Sequence, residues 1–355
     1  MDKYEYWFAS MQGVGNVKKR KMREGMKTAE ALYYIEETEL KAYGLTAKEQ
    51  MCFQDSIGQW VLDEEYQKLQ EKGVQCSTIL DATYPKRLAE LSTAPYAIFW
   101  KGSLPKDDMP TVAIVGARDC SAYGETMARE FAQALAKAGV QIISGMANGV
   151  DSSSQRGALE VAGESYGILG CGVDICYPRE QIQLYMDLQK QGGVISEFPI
   201  GSKPLPQHFP ARNRIISGLA DVVLVIEARE KSGSLITADM ALEQGKDVYA
   251  LPGPVDSVLS RGCNYLIKQG AGVLLSPKEL LEELGLFCEK NTKKNLLLET
   301  EENIVYSCLG FYPKNMEQLL KETKMSVKVV LRTLLRLELM GIVKEISKNN
   351  YVKIR

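Results

Sequence analysis

The sequence predicts an α/β protein with a doubly wound parallel sheet, flanked by a helical N-terminal region and a C-terminal winged helix. Two observations carry this prediction. Short apolar runs alternate with segments of helical spacing from Thr111 onward, and the tail after a polar stretch near residues 290–300 contains three helical patterns and a two-stranded ribbon. We expect a helical domain at 1–80, a core at 81–288, a linker at 289–300 and a winged helix at 301–355.

The N-terminal region contains short amphipathic helical patterns separated by turns. Its segment MQGVGNVKKRKMRE predicts a glycine turn entering a basic helix, similar to a helix-hairpin-helix or SAM-like domain, in which backbone amides face phosphates. The alternative is a helical packing domain with a solvated Lys/Arg face, which is the commoner meaning of a run of charges.

The predicted core contains apolar runs that do not alternate in polarity, as strands buried on both faces require. The segments between them have helical spacing, and parallel neighbours need such long crossover connections. The predicted strands are TVAIVG, VQIISG, SYGILG, GGVISE, DVVLVIEA, DVYALPG and AGVLL.

The tail predicts a helix from about Asn303, a second in MEQLLKETK, a third in SVKVVLRTLLRLELMG, and a hairpin in IVKEISKNNYVKI. Its third helix carries Lys328, Arg332 and Arg336 every four residues, as a recognition helix for duplex DNA would. The same stripe also suits an ordinary solvated face, and winged helices serve as protein-binding modules as well.

Composition excludes several classes of function. The formal net charge is −2, and the eight cysteines include no CxxC pair. No leader or membrane-spanning run is evident, and His208 is the only histidine. We therefore expect a reduced cytoplasmic protein without a metal site, a cofactor or a membrane association.

Ligands of open parallel sheets bind at the carboxyl ends of the strands, so the loops after the apolar runs are the candidate site. Five such loops supply glycines, hydroxyls or cations, and the fourth has no acid between Glu197 and Asp221, which together predict an anion-binding rim. The predicted binding residues are Gly116, Arg118, Ser121, Ser144, Gly145, Asn148, Arg179, Lys203, Phe209, Arg212, Asn213, Arg214, Gly233 and Ser234.

The rim has amides and cations but no evident acid–base pair, which favours binding a phosphate backbone over transforming a metabolite. The sequence lacks the dinucleotide and triphosphate loop motifs at the expected spacing. Arg212 and Arg214 could alternatively pair with Glu197 or Glu227 and serve packing alone. Base stacking and core packing remain alternatives for four aromatic residues: Tyr123, Tyr177, Phe198 and Phe209.

Seven ordered motifs resemble the signature of the DNA-processing protein A (DprA, also called Smf) family over roughly residues 80–285. They are VAIVGARDCSAYG, SGMANGVD, ILGCGVDICYP, HFPARNRIISGL, EAREKSGSLITADMALEQG, ALPG and SRGCNYLIKQGA. The resemblance implies an extended Rossmann core, which the family shares with phosphoribohydrolases. The flanking domains fit the family's three-part architecture more loosely.

The resemblance further implies a non-enzymatic protein that binds single-stranded DNA, dimerises through its core, and protects incoming strands and loads RecA onto them during natural transformation. Arg118, Arg179, Lys203, Arg212 and Arg214 would line its DNA-binding pocket. A phosphoribohydrolase-like enzyme and a winged-helix transcriptional regulator are the alternatives. Two departures from the family pattern, Asn148 in place of a basic residue and Gln155 in place of histidine, would re-tune strand binding.

Overall fold

A computed structural model of the chain describes residues 1–286, 300–310 and 313–353. The chain divides into two compact units. The first comprises Met1–Cys120 and Met127–Phe287, and the second comprises Ser121–Thr126 and Cys288–Arg355. Apart from Thr300, the predicted linker at 289–300 lies outside the described residues, and the predicted domain boundaries stay predictions.

The first unit begins with short helices that are set by their caps. The Asp2 carboxylate accepts a hydrogen bond from the Glu5 amide, and Thr46 and Glu49 form a reciprocal capping box. The helices are α1 (Lys3–Ser10), α2 (Asn16–Met26), α3 (Ala29–Tyr33), α4 (Glu37–Lys41), α5 (Ala47–Gln59) and α6 (Leu62–Glu71).

A nine-stranded sheet follows in the described part of the chain, and the prediction of a mostly parallel sheet is confirmed. All seven predicted strands form and run parallel to their neighbours within the series β6-β5-β4-β3-β7-β8-β9. They are β3 (Thr111–Gly116), β4 (Gln141–Ser144), β5 (Ser165–Ile168), β6 (Gly192–Ser196), β7 (Val222–Ile226), β8 (Asp247–Ala250) and β9 (Gly272–Val273).

Two further strands were missed in the sequence analysis. The strands β1 (Gln75–Thr78) and β2 (Ala97–Gly102) pair antiparallel, and β2 then pairs antiparallel with β6. Their side chains do not alternate in burial, because β2 is buried along its first four residues and β1 only at its last two. The two buried residues of β1 are too few to establish a period, whereas the buried run of β2 is of the same kind as the strands that were predicted, so the sequence carried a signal for β2.

Helices cover both faces of the sheet, as doubly wound topology requires. After α7 (Lys86–Ala89), they alternate with the parallel strands. They are α8 (Ala122–Lys137), α9 (Val150–Glu160), α10 (Ile182–Leu188), α11 (His208–Leu219), α12 (Gly233–Glu243), α13 (Arg261–Lys268) and α14 (Pro277–Glu283).

The N-terminal helices share one hydrophobic core with a face of the sheet. Trp7 and Phe53 belong to the same buried cluster as Leu169 and Val194, whereas α11, α12 and α13 cover a second cluster. None of the described helices is long and apolar enough to span a membrane.

The second unit has the order predicted for a winged helix. The strand β10 extends the predicted hairpin to three strands in the order β10-β12-β11, and Val305, Leu319, Leu334 and Leu337 form the core. The elements are α15 (Thr300–Cys308), β10 (Lys314–Asn315), α16 (Met316–Thr323), α17 (Val327–Leu339), β11 (Val343–Ser347) and β12 (Asn350–Lys353).

The basic helix α2 packs within the protein. Lys18 forms an ion pair with Glu49 at 2.7 Å, and Arg23 forms one with Glu5 at the same distance. Lys19 is buried, and its ammonium donates hydrogen bonds to the carbonyls of Ala9 and Met11 at the end of α1. These contacts favour the packing alternative over phosphate binding by α2.

We predict that Lys19 makes stability depend on pH. Burial lowers the pKa of its ammonium to about 7, so between about pH 7 and 10 the unfolded chain binds more protons at this residue than the folded chain. The free energy of unfolding therefore rises with pH in that window, by up to about 1.4 kcal/mol per pH unit.

Urea unfolding of the wild type and of the Lys19→Met variant across this window measures the effect. The variant should lack the rise, while Lys21→Met, which removes an exposed lysine of the same helix, should retain it. Equal pH slopes for all three proteins would refute the assignment.

Candidate functional site

The candidate site lies at the carboxyl ends of the parallel strands, beside the point where the strand order reverses. The chain adds β4, β5 and β6 on one side of β3 and β7, β8 and β9 on the other, so the loops after β3 and β7 diverge there and leave a crevice. A pocket of about 430 Å³ occupies it, lined by the end of β3 and by residues of α9, α11 and α12.

Seven of the predicted binding residues line this pocket. The remaining lining comes from both polar and apolar side chains, among them Asp151, Tyr177 and Ser232. The predicted residues brought together are Gly116, Arg118, Phe209, Arg212, Asn213, Gly233 and Ser234.

One wall combines a cation with two aromatic rings. The exposed Arg118 guanidinium lies 5.9 Å from the centroid of the Phe209 ring, a cation–π distance. The rings of Tyr177 and Phe209 have centroids 5.4 Å apart at an angle of 35°. Tyr177 is 43% exposed, so its ring offers a flat surface next to a positive charge.

The first turn of α12 also lines the pocket, and there the backbone amides are unpaired within the helix and the helix dipole is positive. Ser232 caps this helix by accepting a hydrogen bond from the Ser234 amide, and the two hydroxyls are 2.7 Å apart. The Asn213 side chain donates to the Gly233 carbonyl at 3.2 Å, which fixes this turn against α11. An anion is the ligand that such a helix start favours.

The floor is formed by a buried arginine. Arg212 is 5% exposed, and its Nη1 donates to the carbonyls of Gly145 and Ile168, at the ends of β4 and β5. Burial lowers the pKa of Arg212 to about 10, with the Asp151 charge opposing that shift, so the guanidinium stays protonated at neutral pH.

Asp151 is a residue of the site that the sequence analysis missed. Its carboxylate accepts hydrogen bonds from the amides of Gly145 and Ala147, closing the loop after β4. Burial raises its pKa, and Arg212 and the two amides act in the opposite direction. Its position at the start of α9, directly after a glycine loop, was the available signal.

Three predicted residues have exposed side chains but do not line the pocket: Asn148, Arg179 and Lys203. The side-chain oxygen Oδ1 of Asn148 accepts a hydrogen bond from the Gln181 side-chain amide at 2.8 Å. Phe198 stacks on His208 with ring centroids 4.0 Å apart. The Ser121 hydroxyl accepts a hydrogen bond from the Gly124 amide in the first turn of α8.

The prediction for three further residues needs correction. Ser144 is fully buried and donates its hydroxyl to the Ile114 carbonyl, and both backbone polar groups of Gly145 are engaged by Asp151 and Arg212. Arg214 forms two hydrogen bonds of 2.6 Å with Glu197, and its Nε donates to the Thr93 carbonyl. The packing alternative applies to Arg214, because its donors are already engaged.

In the second unit, two of the three cations proposed to contact duplex DNA form ion pairs. Arg332 lies 2.6 Å from Glu301 and Arg336 lies 3.6 Å from Glu302, both on α15, whereas Lys328 is exposed. Duplex binding stays a prediction.

No group of three or more His, Cys, Asp or Glu residues among those that the structure describes could hold a metal ion.

We predict that Arg214→Ala lowers stability. Glu197 is 12% exposed, and leaving its charge without a partner should reduce the free energy of unfolding by about 2–3 kcal/mol. Replacing both residues with methionine should recover most of that loss, since two apolar side chains tolerate burial.

Chemical denaturation measures these changes. Arg179→Ala, which removes an exposed arginine, is the matched control and should stay within about 0.5 kcal/mol of the wild type. If Arg214→Ala proved as stable as this control, the ion pair would not be the reason for the position of Arg214.

The chain is similar to proteins of one known family. A model of DNA recombination-mediator protein A matches residues 75–285, and a model of the DprA winged helix domain matches residues 292–346. Protein Smf of Escherichia coli is 39% identical over 77% of this chain and 75% of its own length. DNA processing protein DprA of Streptococcus pneumoniae is 40% identical over 62% of this chain and 77% of its own.

Solved structures agree. The X-ray structure of DNA processing protein A from S. pneumoniae has a TM-score of 0.70 at 34% identity, covering 80% of this chain and 98% of that one. A Helicobacter pylori structure, described as giving insight into the single-stranded DNA binding mode of DNA processing protein A, has a TM-score of 0.55 at 30% identity, covering 60% and 97%. The chain belongs to the DNA recombination-mediator protein A family.

Proposed function

We propose that the pocket between β3 and α12 binds single-stranded DNA. The observation that carries this proposal is the exposed Arg118 guanidinium beside the Tyr177–Phe209 pair, in a pocket that the first turn of α12 also lines. Cations and helix amides hold phosphates, and aromatic faces stack on bases, which together are the elements of single-strand recognition. The H. pylori relative, whose structure is described in terms of single-stranded DNA binding, supports the choice of ligand.

Within the pocket, a phosphate would lie between Arg118 and the start of α12, away from the Asp151 carboxylate on the floor. A base would then stack on Tyr177, the more exposed of the two rings. Phosphate contacts position a strand without reading its sequence, so we expect little sequence preference. Asn148, Arg179 and Lys203 would extend the contact beyond the pocket as exposed groups.

We propose that the pocket binds DNA without chemical turnover. Among the described residues that line it, Asp151 is the only carboxylate, and it is already engaged by two amides beside Arg212. Incubation with a panel of nucleoside monophosphates tests the phosphoribohydrolase alternative, which requires release of free base.

We predict distinct defects for the two kinds of contact. Arg118→Ala should weaken binding of short oligo-dT by about 10- to 100-fold and reduce the slope of log affinity against log salt by about 0.7. Tyr177→Ala should weaken binding by about 1–3 kcal/mol and leave that slope unchanged, since it removes no charge.

Fluorescence anisotropy at several salt concentrations measures both quantities. Lys137→Ala is the matched control. Lys137 is exposed at the C-terminal end of α8, near the amino ends of the parallel strands, whereas the pocket lies at their carboxyl ends. The pocket would be the wrong site if Arg118→Ala and Lys137→Ala bound DNA equally well.

We also propose that the protein acts in the cytoplasm as a homodimer that protects incoming single strands and loads RecA onto them during natural transformation. Membership in a recombination-mediator family supports this proposal. A mediator must first hold the strand, so its effect on RecA should depend on the pocket.

We predict that the wild type accelerates RecA filament assembly on a strand coated with single-strand-binding protein. Arg118→Ala should lose most of this acceleration, and Lys137→Ala should retain it. Stopped-flow measurement of filament growth with fluorescent RecA tests the prediction. No acceleration at wild-type concentrations that saturate the strand would exclude loading while leaving strand binding intact.

A further inference from the structure

The helix α17 carries a row of apolar side chains on its exposed side. The opposite face, with Val330, Leu334 and Leu337, is buried in the core of the second unit. Large apolar residues that are exposed one by one are ordinary, but a contiguous row of them marks an interaction surface. The row repeats every four residues and consists of Val327 (51% exposed), Leu331 (45%), Leu335 (59%) and Leu339 (82%).

This apolar row differs from the surface that reads duplex DNA. A reading helix presents hydrogen-bonding side chains to the base edges and cations to the phosphates. On α17, Arg332 and Arg336 instead reach Glu301 and Glu302 of α15. The side chains left on the exposed ridge are branched apolar groups, which gain free energy by packing against another apolar surface.

We propose that this row, Val327, Leu331, Leu335 and Leu339, is a self-association surface that packs against the α17 row of a second copy of the chain, in antiparallel orientation. A row of residues spaced by four is one of the ridges along which helices interdigitate. This surface lies in the winged-helix unit, and the proposal is independent of any dimer formed by the core and of the function of the pocket.

The sequence of the helix is self-complementary about its centre. A two-fold axis level with Thr333 pairs Leu331 with Leu335 of the second copy, because both are two residues from the centre. Val327 and Leu339 lie on opposite flanks of this contact, where each would pack beside the end of the other helix.

The charged residues beside the row are related by the same two-fold axis. Lys328 and Glu338 are both five residues from Thr333, and both are exposed. An antiparallel pair of helices therefore places opposite charges together at each end, whereas a parallel pair would place Lys328 against Lys328. This complementarity favours a second copy of the chain over an unrelated apolar partner.

Four side chains on each partner form a small interface, below the roughly 800 Å² per partner of stable complexes. The association should be weak in free solution. It gains strength where chains are already held close together, as on one DNA strand, because effective concentration then replaces bulk concentration.

Sedimentation equilibrium of the full chain over a wide range of concentration tests the proposal. Leu335→Lys, near the two-fold axis, should weaken one association step by about tenfold or more, because it alters two contacts per dimer. Ile346→Lys is the matched control, since Ile346 is an exposed apolar residue of β11 outside the row. If Leu335→Lys did not fold, Leu339→Lys would replace it.

A charge exchange tests the antiparallel register. Lys328→Glu and Glu338→Lys should each weaken the association, and the double variant should restore it to the wild-type value. A wild-type chain whose mass does not change with concentration, or a Leu335→Lys variant that associates like the wild type and Ile346→Lys, would overturn the surface. A double variant weaker than either single variant would overturn the register.

Discussion

The site depends on one buried cation. Arg212 extends from α11 beneath the pocket and donates to carbonyls at the ends of two neighbouring strands, β4 and β5, so it fixes the loops that follow them. The next residue, Asn213, bonds to the first turn of α12. A guanidinium with its hydrogen bonds satisfied inside the protein costs less to bury than a free one, and its planar fork accepts little change in geometry. The pocket walls are therefore held in place before a ligand arrives.

The parallel strands, the helices between them and the order of the winged helix could be predicted because each leaves a local pattern of apolar residues. The antiparallel strand β1 has only two buried residues, too few to establish a pattern, whereas β2 is a buried run of the same kind as the predicted strands, so a signal for β2 was available. The direction in which each side chain points was the other feature that the sequence could not predict. Arg212 and Arg214 are two residues apart on a helix and so project from different faces, one under the pocket and the other toward Glu197. Ser144 likewise ends a strand buried on both sides.

The proposed surfaces of the two units act on different scales. In these proposals the pocket would bind one or two nucleotides through a few polar and aromatic contacts, and the α17 row would join protein to protein. Each is modest alone, yet contacts that can form at the same time on one strand reinforce one another without a new chemical interaction. Such an arrangement would let the protein cover DNA at high occupancy and still release it stepwise, which suits a protein whose family name describes mediation.

Chains that bind close together on one DNA strand could aggregate by pairing their β-sheets edge to edge. The short edge strands of this sheet reduce that risk. The outermost strand β9 has two residues, Gly272 and Val273, and β1 at the other edge has four. Unpaired edge strands invite pairing with another molecule, and short ones offer too few backbone groups for stable extension. Chains gathered at high local density therefore have little means of joining their sheets. Any assembly on DNA would then be limited to side-chain surfaces, and it could dissolve again when the DNA is gone instead of growing into an aggregate.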